Sequence, residues 1–299
     1  MLDCLIIGGG PAGLTAATYL GRFRRKVLIV DGGASRMKRI PLTRNAPGFP
    51  DGVTGAALYA RMLDQALTYG AAIKEGMVEG IAPIEGGFAV AGSAGAFEAR
   101  TILLATGSVL VEPAISGLEE GVQAGIIRYC PICDGLETRG RSVAVLGNDP
   151  AAIEEARFIR TFTDRVTFLW TSEAAPSFNE VAHARREGID IAETSVRDIR
   201  LGDDGVAVAF ADGTSERFDM LYPALGCAPQ SGLLAMLGAK LSEDCGVLTD
   251  KHQRTEIAGV YAAGDVLEGL DQIASACGQA AIAAVTIHND LRGKSELSS

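Results

Sequence analysis

The strongest constraint on this chain is a strand, glycine-turn and helix unit that it contains twice. The first copy, CLIIGGGPAGLTAATYL, starts at Cys4. Gly8, Gly10 and Gly13 form a G-x-G-x-x-G turn, with Pro11 and Ala12 inside it. The first glycine permits the tight turn, the second lets backbone approach a pyrophosphate, and the third lets helix and strand pack closely. The phosphates then meet a helix N-terminus, where free amides and the dipole favour negative charge. Asp31 closes the next strand, KVLIVDGG, with Gly32 beside it. It comes roughly 18 residues after Gly13, near the ~20 expected of an acid that bonds a ribose. The second copy is VAVLGNDPAAIEEA, Val143 to Ala156. Its turn, Gly147-Asn148-Asp149-Pro150-Ala151-Ala152, lies over Gly8–Gly13 with the prolines in register, and Asp149 stands where Gly10 stands in the first.

A second echo sets LLATGS (Leu103 to Ser108) against YPALGCAP (Tyr222 to Pro229), each an apolar strand ending in a glycine turn. The repeats predict an α/β fold of two Rossmann-like, doubly wound domains, the second inserted in the first. Residues 1–112 and 243–299 are expected to form the dinucleotide domain, and 113–242 the insert. Near the C-terminus, GVYAAGDV reads as a short strand ending at Gly264-Asp265, and QIASACGQAAIAAVTIHNDL reads as a long helix. The start of that helix is expected to point at whatever the first domain binds.

Two domains suit 299 residues. No apolar run is long enough to span a bilayer, and the opening strand leaves no room for a signal peptide, so a cytoplasmic location without membrane attachment is expected. A net charge of −10 argues against nucleic-acid binding. The charge is uneven: Arg22, Arg24, Arg25, Lys26, Arg36, Lys38, Arg39 and Arg44 are set against one acid, Asp31. That cluster reads either as a solvated face beside an anionic cofactor or as a docking patch for an acidic partner.

Of six cysteines only Cys130 and Cys133, in YCPICDG, are closely spaced. No second pair exists and the three histidines are unpatterned, so no metal site is expected. A structural disulfide does not suit the compartment. Two buried spectators remain an alternative to a redox-active dithiol/disulfide, the reading the spacing favours. Asp134 follows at once, within reach as a proton donor or acceptor.

IIGGGPAG, TRNAPGFPDGVTGAAL, LLATGS, CPICDG, RGRSVAVLG, GVYAAGDV and QIASACGQAAIAA occur in an order that resembles the low-molecular-weight thioredoxin reductases over almost the whole length. The resemblance implies a homodimer with FAD bound by the N- and C-terminal segments. It places Gly8, Gly10, Pro11, Ala12 and Gly13 at the FAD pyrophosphate and Asp31 and Gly32 at the adenosine ribose. Asn45 falls beside the flavin, Thr106 and Gly107 at the strand end, and Gly264 and Asp265 at the ribityl chain. Gln272 and Ile273 fall at the pyrimidine edge, and Val78 joins this set. Cys133 becomes the sulfur next to the flavin, Cys130 the one that attacks a partner disulfide, and Asp134 the proton carrier. The family's arginine before that glutamine is Asp271 here.

The second fingerprint departs from the family. Its NADPH users carry a cationic His-Arg-Arg run after the next strand. Here that strand is followed by Trp170, Thr171 and Ser172, and Glu173 comes too late to replace a ribose-binding acid. Asp149 removes space and sets a carboxylate against a pyrophosphate. As an N-cap it would instead close its own helix, with Glu154 and Glu155 in the first turns. Inefficient use of NAD(P)H is therefore expected. The expected function is that of an FAD-dependent dithiol–disulfide oxidoreductase exchanging electrons with a thioredoxin-like protein or a small dithiol or disulfide. A reduced flavin or ferredoxin docked on the basic cluster is a possible electron donor. The alternatives are an NADPH-dependent reductase tolerant of the altered turn, an oxygen-dependent dithiol oxidase, and a flavin redox sensor without turnover.

Overall fold

The computed structural model describes residues 1–171 and 176–296. The first unit runs β1 (Leu2–Ile7), α1 (Pro11–Arg22), β2 (Val27–Asp31), α2 (Gly55–Thr68) and β3 (Ala72–Glu75), then β4 (Val78–Ile84), β5 (Gly87–Gly92) and β6 (Gly95–Leu104). β1 pairs in parallel with β2 and β6, and β2 pairs with β3. β4, β5 and the start of β6 form an antiparallel meander. Alternate residues of β1 point to opposite faces, as strand geometry requires. Cys4 and Ile6 pack on α1 and the last helix; Leu5 and Ile7 pack towards the meander.

The chain leaves this unit through β7 (Ser108–Leu110) and enters the insert: α3 (Leu118–Gln123), α4 (Pro131–Asp134), β8 (Val143–Gly147), α5 (Pro150–Arg160), β9 (Val166–Trp170), α6 (Phe178–Arg186) and β10 (Ile189–Ile191). The antiparallel β11 (Val196–Gly202), β12 (Gly205–Phe210) and β13 (Ser215–Phe218) follow, then β14 (Met220–Ala224). The order β10-β9-β8-β14 repeats β3-β2-β1-β6 strand for strand. The packing repeats as well. Val143 and Val145 face the helical side; Ala144 and Leu146 face the β11–β13 sheet. The chain therefore folds as two Rossmann-like units, the second inserted in the first. In both, an antiparallel β layer covers the face opposite α1 and α5.

The return path uses β15 (Cys227–Pro229), α7 (Gly232–Met236), β16 (Val260–Ala262) and α8 (Ile273–Glu296). β15 pairs antiparallel with β7, so the strands that follow the two echoed glycine turns bind each other and staple the insert's entrance to its exit. β16 adds to β6 in parallel and delivers the start of α8 beside the first glycine turn. Among the described residues no helix is long and apolar enough to cross a membrane.

Candidate functional site

The first glycine turn divides its work as the spacing implies. Gly8 has φ +108°, and a Cβ there would lie 2.3 Å from Ala105 O. One on Gly13 would strike Gly8 O at 1.9 Å, so this glycine serves the helix–strand contact. Gly10 is open, with only Ser35 Oγ at 3.6 Å from an added Cβ. It also caps α1 without any side chain, which leaves the first amides of the helix free. Asp31 is buried; its Oδ1 accepts from Gly9 N at 3.1 Å and its Oδ2 from Tyr59 Oη at 3.4 Å. Gly9 escaped the sequence reading although the triple glycine displays it.

The turn opens onto a cavity of about 570 Å³. Gly8, Gly10, Pro11, Ala12, Asp31 and Gly32 line one end, and Val78, Thr106, Gly107, Gly264 and Asp265 line its walls. Asn45, Gln272 and Ile273 stand at the far end with Cys130, Cys133 and Asp134 of the insert. Of the residues predicted from sequence only Gly13 lies outside it, behind the turn. Open backbone at Gly10, uncapped amides on α1 and an acid at the end of β2 fit the pyrophosphate and ribose of FAD. The start of α8 fits the polar edge of its ring.

Arg36 was not singled out as a site residue, yet it stands inside this cavity. Its Nη1 donates to Ser108 Oγ at 2.6 Å and lies 3.4 Å from Asp265 Oδ2 and 3.6 Å from Asp271 Oδ2. Burial, with Asp271 adding repulsion and Arg36 opposing, pushes the Asp265 carboxyl up to about 6. Burial also raises Asp271 against the pull of Arg36. Arg36 thus brings a cation to the place where position 271 carries an acid.

Cys130 and Cys133 form a disulfide. Gln272 Nε2 points at both sulfurs, 3.2 Å from Cys130 and 3.3 Å from Cys133. The amide is held in turn: Asn45 Nδ2 donates to Gln272 Oε1 at 2.9 Å, and Thr43 Oγ1 to Asn45 Oδ1 at 2.8 Å. A hydrogen-bond chain therefore links the first domain to the redox pair. Cys133 N also donates to Cys130 Sγ at 3.1 Å. A thiolate on Cys130 would keep that donor, which favours the anion there.

Several members of the basic cluster have partners within the molecule, although Arg22, Arg24, Lys26 and Arg44 stay exposed. Arg39 Nη2 lies 2.9 Å from Glu112 Oε1 and 2.8 Å from Glu119 Oε2, and Arg44 Nη1 lies 2.9 Å from Glu137 Oε1. Tyr129 Oη adds a 2.9 Å bond to Glu112. Arg25 is spent on His288 and Asp3, Arg22 lies over the Tyr69 ring, and Lys38 lies over Tyr59. Much of what reads in sequence as a free patch consists of contacts within the molecule.

The second turn is closed. Ala152 N donates to Asp149 Oδ1 at 3.0 Å, so the helix start meets its own carboxylate. Because α5 begins at Pro150, Glu154 and Glu155 fall beyond its first turn, a correction to the placement expected from sequence. Glu154 pairs with Arg157. Glu155 turns inward, and burial, with Asp149 adding repulsion, pushes its carboxyl up to about 7. The Trp170 indole N–H is spent on Ala192 O at 2.9 Å. Ser172 and Glu173 lie outside the described residues.

The family model for pyridine nucleotide-disulphide oxidoreductases matches residues 2–280. The thioredoxin reductase of Listeria monocytogenes is 30% identical over 94% of this chain and 91% of its own length. The solved structure of thioredoxin reductase from Streptococcus pyogenes is 28% identical, covers 98% of this chain and 99% of its own, and superimposes with a TM-score of 0.90. That of Lactococcus lactis thioredoxin reductase, in what is described as the FR conformation, has the same 28% identity, covers 97% of this chain and 98% of its own, and scores 0.64.

Proposed function

The chain belongs to the pyridine nucleotide-disulphide oxidoreductases, and from that premise we propose that it is an FAD-dependent dithiol–disulfide oxidoreductase that makes little use of NAD(P)H. The observation that carries this reading is a single cavity lined both by the open first turn and by the Cys130–Cys133 pair, while the second turn is filled by Asp149. When bound, the flavin supplies a two-electron store. The residues around it position that store, as Gln272 does, and keep the cysteines within its reach. In the reducing direction, Cys130 as thiolate attacks one sulfur of an external disulfide. The S–S bond breaks and the released thiolate takes a proton. Cys133 then attacks Cys130 Sγ, re-forms the internal disulfide and releases the second thiol. Two electrons and two protons pass to the substrate. Thioredoxin is the partner the relatives' name suggests; a small dithiol running the sequence backwards is equally compatible with the pair. Among electron sources, a flavin or ferredoxin docked on the Arg22–Arg44 cluster loses ground because Arg36, Arg39 and Arg44 are already engaged. Anaerobic dithiothreitol is expected to bleach the FAD-loaded protein. A flavin that stays oxidised in excess dithiol would falsify the exchange.

Mobility of the insert is a further part of this proposal. Two relatives of equal identity and near-equal coverage score 0.90 and 0.64, as expected where like units are set at different angles. Arg39 and Arg44 then act as a clasp that favours the arrangement with the disulfide in the cavity. Exposed ion pairs are each worth under about 1 kcal/mol, so the clasp is weak enough to open. In a doubly substituted Arg39→Ala, Arg44→Ala protein, alkylation of reduced Cys130 should rise several-fold, by an amount that shrinks in high salt. Equal alkylation rates in variant and parent would remove the clasp from the proposal.

A further inference from the structure

Both carboxylate oxygens of Asp134 are gripped from inside the insert. Tyr222 Oη donates to Oδ1 at 2.7 Å, and Arg128 Nη1 donates to Oδ2 at 2.8 Å. The two donors are themselves tied together. Arg128 N donates to Leu221 O at 2.9 Å, one residue before Tyr222 on β14, and Arg128 Nε donates to Gly125 O at 2.8 Å. Asp134 N in turn donates to Cys130 O at 3.2 Å, which closes the turn that carries the cysteines. The result is a ring of bonds running from β14 through Tyr222, Asp134 and Arg128 and back to β14. The Tyr222 side chain is fully buried, and its hydroxyl is held protonated by burial and by the carboxylate it faces. It therefore keeps the proton that it donates to Asp134.

We propose that Arg128 and Tyr222 are positioning residues for the redox pair, gripping one oxygen each so that Asp134 stays ionised and fixed beside the Cys130–Cys133 turn as its base. The inference rests on the proposed dithiol–disulfide exchange. Asp134 takes the proton of the Cys130 thiol. The thiolate attacks the external disulfide, and the departing thiolate takes that proton back from Asp134. The same carboxylate then serves Cys133, whose thiolate breaks the mixed disulfide. The second departing thiolate takes the Cys133 proton from Asp134, so two electrons and two protons pass from the pair to the substrate.

The charges around Asp134 set the sign of the test. Burial pushes its carboxyl up, while Arg128 and the Tyr222 hydrogen bond pull it back. Glu137, on the turn that follows, pushes it up again and is itself paired with Arg44. Removing either donor must raise Asp134 further, so the base is lost at a higher pH as pH falls. The experiment follows a single turnover of pre-reduced, FAD-loaded protein with Ellman's disulfide across pH, with the exposed Cys227 and Cys245 replaced by serine. Tyr222→Phe should move the acid limb to higher pH, slowing the reaction about tenfold on that limb, the weight of one charge-assisted hydrogen bond, and leave the high-pH plateau unchanged. Arg128→Gln should do the same, and Arg128→Lys should restore part of the loss. Profiles that overlay the parent in folded variants, or a lowered plateau with an unmoved limb, overturn the proposal. If Tyr222→Phe does not fold, the two Arg128 variants decide. Asp134→Asn separates the levels. A profile unchanged by that substitution removes Asp134 as the base and the positioning role with it. A parent whose pair never reacts with the disulfide refutes the exchange itself.

Discussion

Titrated anaerobically with NADPH or NADH, the FAD-loaded protein is expected to keep its oxidised flavin spectrum through an excess of nucleotide that would bleach a pyridine-nucleotide-dependent reductase at once. The reason lies in the contrast between two turns of one repeated pattern. Gly10 presents open backbone and uncapped amides; Asp149 presents a carboxylate already bonded to Ala152 N. A pyrophosphate arriving there must displace that bond and sit against the charge. Like charges brought together in an interface cost several kcal/mol, and ~3 kcal/mol is about a hundredfold in Kd. Glu155, half-buried nearby, adds a second carboxylate whose proton leaves near pH 7. Rejection should therefore deepen as pH rises through about 7 and ease below it. A raised carboxyl also costs the fold when it ionises, so whatever stability Glu155 lends in the protonated state is lost over the same rise. Asp149→Gly should recover up to about a hundredfold in nucleotide affinity, with only a few tenths of a kcal/mol lost from the helix cap. Rapid bleaching of the parent protein by either nucleotide would show that the altered turn is tolerated and that the chain is an ordinary NADPH-dependent reductase.

The difference between these turns was legible in the sequence because both the repeat and its flaw are local. Cap, proline and glycine act within one helical turn, and spacing alone puts them in register. The strand echoes were legible for the same reason, although nothing in LLATGS or YPALGCAP says that the strands after their glycines pair with each other. What escaped depends on contacts between distant segments. Arg36 meets Asp265 and Asp271 only because β16 returns beside the first turn. Arg39 and Arg44 looked free because their acids, Glu112, Glu119 and Glu137, come from far along the chain. Charge density along a sequence reveals how many like charges lie together; the fold decides how many remain unpaired. Tyr222 reads as one more apolar strand position, and only its hydroxyl's contact with Asp134 separates it from a phenylalanine.

Replacing Cys133 by serine should abolish multiple turnover with dithiol or disulfide substrates, a loss of at least about a thousandfold of the kind seen when a covalent nucleophile is removed. Cys130→Ser should lose as much by steady-state rate, so turnover alone does not assign the two sulfurs. The geometry separates them. Cys130 caps α4 and keeps the Cys133 N–H, a donor that stabilises its thiolate; among the described residues no backbone N–H donates to Cys133 Sγ. The better-stabilised thiolate at neutral pH is therefore Cys130, the sulfur suited to meet an external disulfide. Cys133→Ser should consequently leave a protein that reacts once and stops, holding the partner in a mixed disulfide through Cys130, detectable by intact mass and released by dithiothreitol. Cys130→Ser should trap nothing. Trapping by Cys130→Ser alone would reverse the two roles. Normal turnover in Cys133→Ser would remove the pair from the reaction and leave the cavity with a flavin site and two spectator sulfurs. The Gln272 amide offers an internal check, since it lies within 3.3 Å of both sulfurs and is fixed by Asn45. Its Nε2 reaches the two sulfurs almost equally, but its Oε1 lies 3.7 Å from Cys133 Sγ, so the carbonyl disfavours a thiolate on Cys133 and acts in the same sense as the capping N–H at Cys130.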